Sequence, residues 1–553
     1  MRPLLIVPMT GVSSRFTALG YDRPKFLLEV DGQLVIDHVN DMLPDWDDVI
    51  FICNPIHLDD PRFDLERHLL ARRPKARVVR ANGAQLGPGA AVLSVRELVD
   101  PDRPVVVNYC DFTVYWNSTE LSDRLYSGEV DGVIPCYTGF HPHMAFSTSY
   151  AYVKMAGTQV ADIQEKQPWT EDPGSEYASS GTYGFASGAL LLDALDQQVE
   201  QQLLLSGEYY LSLTYKPMLA AGGRVEILEI QHFMQWGTPQ DFEEYRETSR
   251  AIASWLQPRI VPDAVPQHPH SARVILASGA GQRFADAGYA LPKPLLPLAG
   301  ITVLEHALQA LPGDETVVVT RGDLPGNDSV ESLASQWHAH IVRLDGLSRG
   351  QAESALAGLR AIRGSGPVTV GACDALPTIS RAAFDSAIDE AGEHGIVAWL
   401  ATPLHAARRK PQQYGWAGTT GSRIDNVWIK ADPSPHPAGV IIGTFSFPSA
   451  RAAIEQIEAL IADDERVNGE FYLDSLVGRA LSDGRPAIAL EVNTFASVGT
   501  PTEYESLVYW QSCLHKWAIH PYSLAGDPLV PATSRMTLDA RFRRESAANG
   551  VSR

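Results

Sequence analysis

The chain has 553 residues, of which 45% are hydrophobic and 20% charged, and this composition excludes a disordered or fibrous protein. Its 66 acidic and 45 basic residues give a net charge of -21, which argues against binding to a nucleic-acid backbone or to an anionic membrane. The length predicts two or three domains.

Cysteine content and hydropathy indicate a cytoplasmic protein. No apolar run approaches the ~18 residues that span a bilayer, and the stretch Leu4–Val7 is too short for the core of a signal peptide. The cysteines form no C-x-x-C pair, so we expect free thiols in a reducing compartment rather than a zinc or redox motif. They are Cys53, Cys110, Cys136, Cys373 and Cys513.

In chain order, short apolar runs alternate with segments of helical spacing. The alternation predicts an α/β fold with a mostly parallel mixed sheet and helices on both faces, in which ligands bind beyond the carboxyl ends of the strands. Strands are predicted at Leu4–Val7, Val49–Cys53, Arg77–Arg80 and Val105–Asn108, and helices at Ala90–Leu98 and Pro239–Trp255.

The sequence repeats itself. LLIVPMTGVSSRFTALGYDRPKFLLEVDG, which begins at residue 4, aligns without a gap with VILASGAGQRFADAGYALPKPLLPLAG, which begins at residue 274. PVVVNYCD (104–111) pairs with PVTVGACD (367–374), and GEYYL (207–211) pairs with GEFYL (469–473). A repeat of this length is a whole domain rather than a solenoid unit, so a domain has been duplicated in tandem.

Domain limits follow from the repeat. Residues 257–271 are rich in proline and polar residues and are typical of a linker. We expect one domain at 1–256, the linker at 257–271, a second domain at 272–515 and a C-terminal extension at 516–553. The extension lacks clear periodicity, so partial disorder is expected there.

A glycine-rich turn follows the first strand of each repeat and is a candidate phosphate site. The turns contain Met9, Thr10 and Gly11 in the first repeat, and Ala277, Ser278 and Gly279 in the second. Backbone N–H groups in such a turn approach phosphate closely, although the same pattern is also an ordinary strand–helix turn. The pattern is neither a dinucleotide fingerprint nor a P-loop, because the third glycine and a G-K-[ST] motif are absent.

Two cations follow each turn. Arg15 and Arg283 offer a fork of donors suited to phosphate oxygens. Lys25 and Lys293 each follow a proline at the same repeat position, in a chain that otherwise prefers arginine. A surface lysine would exchange freely with arginine, whereas a compact ammonium held against a phosphate would not.

This pattern, a glycine-rich turn, an arginine and a later Pro-Lys, resembles the start of the nucleotidyltransferases that activate sugar 1-phosphates, the NDP-sugar pyrophosphorylases. The resemblance covers nearly all of both repeats. It implies two tandem Rossmann-like nucleotidyltransferase domains that combine an NTP with a sugar 1-phosphate, release pyrophosphate and require Mg²⁺. The product would serve as a precursor of polysaccharides or glycoconjugates.

The resemblance also implies roles for residues near the nucleotide. Asp111 and Asp374, each at the end of a central strand, would bind Mg²⁺, although a strand-end aspartate is also a common helix cap or turn residue. Gln85 and Gly87 resemble the pyrimidine-reading loop of the uridylyltransferases. The second repeat has Gly350 in a different loop, so the two bases need not be the same.

The acceptor side is less symmetric. The Glu-Lys pair that holds the sugar phosphate in the family is Glu165-Lys166 in the first repeat, but Ile429-Lys430 in the second, which lacks that carboxylate. The resemblance further places four residues at the sugar. They are Gly181 and Gly443 on a strand that lines the pocket, and Glu208 and Glu470, which are expected to open helices.

One departure from the family affects both repeats. Many relatives have a second acidic or amide metal ligand two residues before a final Gly-Thr. Gln235 and Ser497 stand there in this chain and are poorer ligands. Either the metal depends on one aspartate with the nucleotide phosphates, or a further residue completes the site.

The implied mechanism is in-line attack of the acceptor phosphate on the α-phosphorus of the NTP. Arg15 would hold the β- and γ-phosphates, Lys25 would neutralise charge at the α-phosphate, and Lys166 would hold the acceptor; Arg283, Lys293 and Lys430 are the counterparts in the second repeat.

Three alternatives stay open: a non-sugar acceptor such as a phosphocholine-like ester, a second repeat that only binds nucleotide or assists assembly, and a glycosyltransferase. Against a glycosyltransferase, the Asp-x-Asp metal motif expected of such enzymes is absent near Asp111 and Asp374. The expected partners are an NTP and a small phosphorylated substrate. The sequence leaves the oligomeric state open, a homo-oligomer included.

Overall fold

The computed structural model describes residues 2–81, 86–268 and 270–544. Contacts divide it into a first unit, residues 2–246 with 543–544, and a second unit, Glu247–Phe542. The division falls inside helix Pro239–Ala253, before the predicted boundary at residue 256. The domain limits inferred from the sequence repeat therefore stay a prediction.

The first unit is built from strands and helices that alternate along the chain. Its strands are β1 Leu4–Met9, β2 Glu29–Val30, β3 Gln33–Leu34, β4 Val49–Cys53, β5 Arg77–Arg80, β6 Val105–Asn108, β7 Phe112–Tyr115, β8 Gly132–Tyr137, β9 Ala151–Ala156, β10 Gln159–Glu165, β11 Tyr177–Ser179, β12 Thr182–Phe185, β13 Val225–Glu229 and β14 His232–Gln235. Its helices are α1 Ser14–Thr17, α2 Val35–Asp41, α3 Pro55–Leu58, α4 Leu65–Arg72, α5 Pro88–Leu93, α6 Ser118–Tyr126, α7 Gly188–Glu200 and α8 Tyr215–Ala220; α9 Pro239–Ala253 spans the division.

The main sheet of the first unit has the strand order β11-β9-β10-β13-β8-β12-β6-β1-β4-β5. Strands β5, β4, β1 and β6 pair in parallel, and so do β13 and β8. Strands β9 to β12 add antiparallel pairings. The predicted mixed α/β sheet is confirmed, with its parallel half around β1.

Side chains alternate between two hydrophobic cores, one on each face of this sheet. Leu5 and Val7 of β1 enter a core that also contains residues of α2, α4 and α6. Leu4 and Ile6 enter a second core with residues of α5, α7 and α8. A strand buried on both faces is apolar at every position, which is why these strands read as continuous apolar runs in the sequence.

The second unit contains the following elements. Its strands are β15 Ile260–Val261, β16 Ala272–Leu276, β17 Pro297–Leu298, β18 Ile301–Thr302, β19 Glu315–Arg321, β20 His340–Leu344, β21 Val368–Ala372, β22 Ala375–Ser380, β23 Ile396–Ala401, β24 Gly415–Thr420, β25 Arg423–Ile429, β26 Gly439–Phe447, β27 Ala487–Glu491 and β28 Thr494–Ser497. Its helices are α10 Gln282–Asp286, α11 Val303–Ala310, α12 Asn327–Gln336, α13 Gln351–Leu359, α14 Arg381–Ala391, α15 His405–Arg409, α16 Ala450–Ala462, α17 Asp474–Ser482 and α18 Pro501–Lys516; α19 Ala532–Arg544 spans the second division.

The sheet of the second unit repeats the arrangement of the first. Its strand order is β20-β19-β16-β21-β26-β23-β27-β25-β24, and β20, β19, β16 and β21 pair in parallel. The continuous strand β26 stands in place of β11 and β12 of the first unit. The tandem duplication predicted from the sequence is therefore present in the fold.

Most of the predicted elements agree with the structure, and one helix does not. The helix predicted at Ala90–Leu98 divides into Pro88–Leu93 and a 3-10 turn at Arg96–Leu98. At the break, the hydroxyl of Ser94 donates to the carbonyl oxygen of Ala91, 2.6 Å away. A serine that bonds to the backbone in this way competes with the helical ladder.

Two segments are more structured than the sequence suggests. Within the predicted linker, β15 pairs in parallel with β22 of the second unit. In the extension, Tyr522, Leu524 and Val530 are buried. The hydroxyl of Tyr522 donates to buried Asp527 across 3.1 Å, and polar burial of this kind leaves no apolar periodicity in the sequence. The expected partial disorder of the extension remains a prediction.

Two further expectations concern thiols and membranes. All five cysteines are buried and free, as the sequence predicts. Within the described ranges, no helix combines the length and the apolar character needed to cross a bilayer.

Candidate active site

In the first unit, a lysine and an aspartate from distant parts of the sequence meet at the carboxyl edge of the sheet. Strands β1 and β6 are parallel neighbours, so the segments that follow them lie at the same edge. Lys25 begins a 3-10 turn in the first segment, and Asp111 lies just beyond β6. The Nζ of Lys25 lies 2.5 Å from Oδ2 of Asp111.

Arg15 shares this cleft. Burial lowers the pKa of Lys25, but the charge of Asp111 outweighs it, so that the net shift is upward; Arg15 is near enough to oppose this rise. The shift favours the charged ammonium form of Lys25. The guanidinium of Arg15 is exposed and the Lys25–Asp111 pair is partly exposed, so all three groups are accessible to a charged ligand such as a triphosphate.

The second unit repeats the pair. The Nζ of Lys293 lies 2.5 Å from Oδ2 of Asp374. Burial raises the pKa of Asp374, but the charges of Lys293 and, to a lesser extent, Arg283 lower it by more. The net shift of the pKa is downward, which favours the ionised carboxylate. Each unit therefore has an arginine whose positive charge acts on its Lys–Asp pair: Arg15 in the first unit and Arg283 in the second.

A cavity of about 420 Å³ adjoins the pair in the second unit. Its volume suits a small ligand such as a nucleotide. The predicted site residues in its wall are Ala277, Ser278, Gly279, Lys293, Gly350, Asp374 and Glu470.

The glycine-rich turns are open towards solvent. A Cβ atom placed on Gly11 or on Gly279 would meet no atom within 4 Å, so packing does not require glycine there. The side chains of Met9 and Ala277, by contrast, are buried in the cores. The turns can therefore present backbone to a ligand, and the side chains of Met9 and Ala277 cannot.

Gly87 and Gly350 have a structural reason to be glycine. A Cβ atom on Gly87 would lie 2.9 Å from the backbone nitrogen of Tyr209, and one on Gly350 would lie 2.5 Å from that of Phe471. Both glycines also have positive φ, at 91° and 138°. The loop predicted to read the base is thereby packed against the GEYYL or GEFYL segment. Gln85 lies outside the described residues.

Gly87→Ala is expected to destabilise the protein by about 2–4 kcal/mol, because it adds steric overlap to an unfavourable φ. Gly128→Ala is the matched control, since Gly128 has φ 72° but open space around it. Gly128→Ala should lower the free energy of unfolding by only about 1 kcal/mol. Denaturant unfolding measures both, and equal losses would contradict the packing argument.

Lys166 and Lys430, the lysines predicted to hold the acceptor, occupy equivalent strained positions. Their φ angles are 59° and 53°, in the left-handed region that costs a lysine roughly 1–2 kcal/mol. The Nζ of Lys166 lies 2.7 Å from the hydroxyl of Tyr210, and the Nζ of Lys430 lies 5.1 Å from the ring centre of Tyr472. Positive φ also recurs at Asp31 and Ala299, another pair of equivalent positions, so the recurrence shows that the two units keep the same backbone conformation.

The remaining predicted acceptor residues differ between the units. Glu165 is half-buried, this partial burial raises its pKa, and it accepts a hydrogen bond from Ser212. Gly181, with φ 94°, packs against Tyr109 and Phe112. The carbonyl of its counterpart in the second unit, Gly443, accepts a hydrogen bond of 3.2 Å from the side chain of Gln351.

Glu208 and Glu470 do not open helices, contrary to the prediction. Each pairs in an isolated β-bridge, with Leu205 and Val467 respectively. The regular helix after Glu470 begins only at Asp474, because the intervening residues form the segment that packs on the glycine loop.

Two acidic residues near the site were missed by the sequence reasoning. The side-chain nitrogen of Gln235 donates to Oδ2 of Asp241 across 2.6 Å. In the second unit, a Cβ atom on Gly499 would lie 3.2 Å from an oxygen of Glu503, 3.4 Å from Oγ of Ser497 and 3.7 Å from Oδ2 of Asp374. The signal was available in the repeats GTPQD and GTPTE, where Asp241 and Glu503 are the fifth residues.

No group of three or more His, Cys, Asp or Glu residues with metal-binding geometry occurs in the described part of the chain. A cation in either unit would therefore take its remaining ligands from a bound nucleotide and from water. This is the usual way in which proteins hold Mg²⁺ at phosphates.

A duplicated α/β fold with these two sites defines a nucleotidyltransferase. The family model of the MobA-like NTP transferase domain matches residues 5–167 and 273–543, and the chain belongs to this family.

Similarity to individual curated proteins is lower. The chain is 28% identical to the bifunctional protein GlmU of Gluconacetobacter diazotrophicus over 236 residues, which cover 42% of this chain and 49% of that protein. It is 26% identical to GlmU of Mycolicibacterium vanbaalenii over 293 residues, 50% of this chain and 56% of that protein. The chain spans about half the length of these relatives.

Two solved structures are also similar. A nucleoside-diphosphate-sugar pyrophosphorylase from Vibrio cholerae RC9 matches with a TM-score of 0.37 and 22% identity, over 44% of this chain and 99% of that one. A putative glucose-1-phosphate thymidylyltransferase from Bacillus anthracis, in complex with a sucrose, matches with a TM-score of 0.36 and 17% identity, over 44% and 93%.

Proposed function

We propose that each unit transfers a nucleotidyl group from an NTP to a sugar 1-phosphate, which yields an NDP-sugar and pyrophosphate. The observation that carries the proposal is the repeated Lys–Asp contact of 2.5 Å at the carboxyl edge of each sheet, with an arginine nearby. A cationic cluster next to an ionised carboxylate suits a triphosphate that arrives with a divalent cation.

The chemical step needs little from the protein beyond position and charge. An oxygen of the acceptor phosphate attacks the α-phosphorus, the bond to the bridging oxygen breaks, and pyrophosphate leaves with the electron pair. The acceptor is already ionised, so no general base is required. Arg15 binds the β- and γ-phosphates, Lys25 neutralises charge at the α-phosphate, and Lys166 holds the acceptor.

The residues of both units fit Mg²⁺, a hard cation that prefers carboxylate oxygens. Asp111 would hold it in the first unit, and Asp374 in the second. When bound, Mg²⁺ neutralises charge on the phosphates.

Differences on the acceptor side favour different acceptors in the two units. The first keeps a carboxylate directly before its lysine, at Glu165, and the second has Ile429 there. For the second unit, a phosphate ester other than the substrate of the first, a non-sugar ester included, is the alternative acceptor. Its intact Lys293–Asp374 pair favours an active unit over one that only binds nucleotide.

Pyrophosphate release, measured with each of the four NTPs and a panel of sugar 1-phosphates and phosphocholine, tests the proposal. At least one pair of substrates is expected to release pyrophosphate about 100-fold faster with Mg²⁺ than with EDTA, since removal of the cation leaves the phosphate charge uncompensated. Omission of the acceptor is the control. The absence of acceptor-dependent release with all pairs would overturn the proposal.

A further inference from the structure

Each unit has a carboxylate beside the lysine predicted to hold the acceptor, but the two carboxylates lie on different elements. In the first unit it belongs to Glu165, the last residue of β10, and it accepts a hydrogen bond from Ser212. In the second unit the position of Glu165 holds Ile429, and the position of Ser212 holds Asp474, the first residue of α17. The carboxylate has moved from a strand end to a helix start.

A third position has changed with these two. Ala151 of the first unit corresponds to Gly415 of the second. A Cβ atom on Gly415 would lie only 1.9 Å from Oδ1 of Asp474. The carboxylate of Asp474 therefore fills the space of the missing methyl group, and the glycine is what makes room for it.

Asp474 lies close enough to Lys430 for the two charges to interact. Its side chain is buried, and its charge acts on Lys430, as do the charges of Arg283 and Glu470. An aspartate at a helix start often serves only to interact with the helix dipole. A surface aspartate can do this, so the role does not explain why Asp474 is buried or why a glycine, Gly415, makes room for it. The equivalent turn of the first unit begins without an acid, at Leu211.

We infer that Asp474 is a specificity-determining residue of the second unit, where it accepts a hydrogen bond from a hydroxyl group of the acceptor, as Glu165 does in the first. The inference rests on the proposed function. Because the carboxylate comes from a helix start rather than a strand end, the hydroxyl that it meets lies at a different place relative to the phosphate. The two units therefore take different hydroxylated phosphate esters.

The test uses the full chain with Lys25→Ala and Lys166→Ala, which silence the first unit. Asp474→Asn keeps the size of the side chain and removes its charge. We expect the KM for the hydroxylated acceptor to rise about 10- to 100-fold, because a hydrogen bond to a charged group is lost, while the Kd for NTP stays within about twofold. Asp463→Asn, on an exposed acid of the same unit, is the control and should change neither value.

Gly415→Ala provides a second variant, because its methyl group would displace the carboxylate without removing it. The same rise in acceptor KM is expected. The triple variant Gly415→Ala, Ile429→Glu, Asp474→Ser rebuilds the residues of the first unit. It should recover binding and shift the acceptor preference towards that of the first unit.

The outcomes separate the inference from the proposed function. An unchanged acceptor KM in Asp474→Asn, with turnover intact, would overturn the inference alone. A parallel loss of NTP affinity and thermal stability would assign Asp474 a structural role and overturn it as well. If calorimetry shows acceptor binding that depends on Asp474 but no pyrophosphate is released, the proposed function fails and the inference stands. If the second unit neither turns over nor binds any of the esters, both fail.

Discussion

Lys25→Ala is expected to lower pyrophosphate release by the first unit about 10²- to 10³-fold, and Lys293→Ala to do the same in the second unit. Removal of one preorganised donor at a developing charge costs about 2.7–4 kcal/mol of transition-state stabilisation. Each lysine is held 2.5 Å from its aspartate, and no other cation forms an ion pair with either aspartate among the ion pairs of the described residues. Steady-state assays with the preferred acceptor of each unit measure the effect.

The two variants also show whether both units are active. Each single variant should lose turnover only with the acceptor of its own unit, and the double variant should lose both. Lys75→Ala is the matched control, because Lys75 pairs with Asp47 on the surface, away from the site. A single variant that leaves turnover unchanged with every acceptor would mean that its unit does not catalyse the reaction.

Asp111→Asn is expected to lower turnover by a similar factor, but to act on nucleotide binding in the opposite direction from Lys25→Ala. Loss of the negative charge removes repulsion of the triphosphate, so NTP without metal should bind as tightly as before or more tightly. Lys25→Ala should weaken the same binding about tenfold, because a charged hydrogen bond is lost. Calorimetry in EDTA measures both affinities.

Metal binding gives an independent readout of the same aspartate. The electron paramagnetic resonance of Mn²⁺ in the presence of NTP should show a bound ion in the wild type and a weaker site in Asp111→Asn. Asp59→Asn, which changes an exposed acid paired with Arg80, is the control. Equal Mn²⁺ binding in Asp111→Asn and the wild type would exclude Asp111 as a ligand.

The fold was largely predictable because its central strands are buried on both faces. Strands such as Val49–Cys53 and Val105–Asn108 are apolar at each position or nearly so, and the structure places them within the predicted limits. The C-terminal segment was less predictable. Its burial includes polar residues such as Asp527, which satisfy one another only through tertiary contacts.

The candidate site likewise contains residues that the sequence predicted and residues that it did not. The residues on the phosphate side were identified because the duplication repeats them with nearly constant spacing, and the structure brings Lys25 to Asp111 and Lys293 to Asp374. Asp241 and Glu503 were overlooked, since an acid in the first turn of a helix is usually a capping residue. Their proximity to Gln235 and Ser497 appears only in three dimensions.

By itself, the sequence determined that an α/β domain occurs twice and that each copy carries a lysine and a strand-end aspartate, because repeated short motifs and alternating apolar runs are local properties. The tertiary structure alone decided where the carboxylate beside Lys430 comes from. Gly415 and Lys430 belong to one strand hairpin, and Asp474 lies far from it along the chain, at the start of α17. Only the packing of a strand against a helix start shows that Gly415 makes room for Asp474.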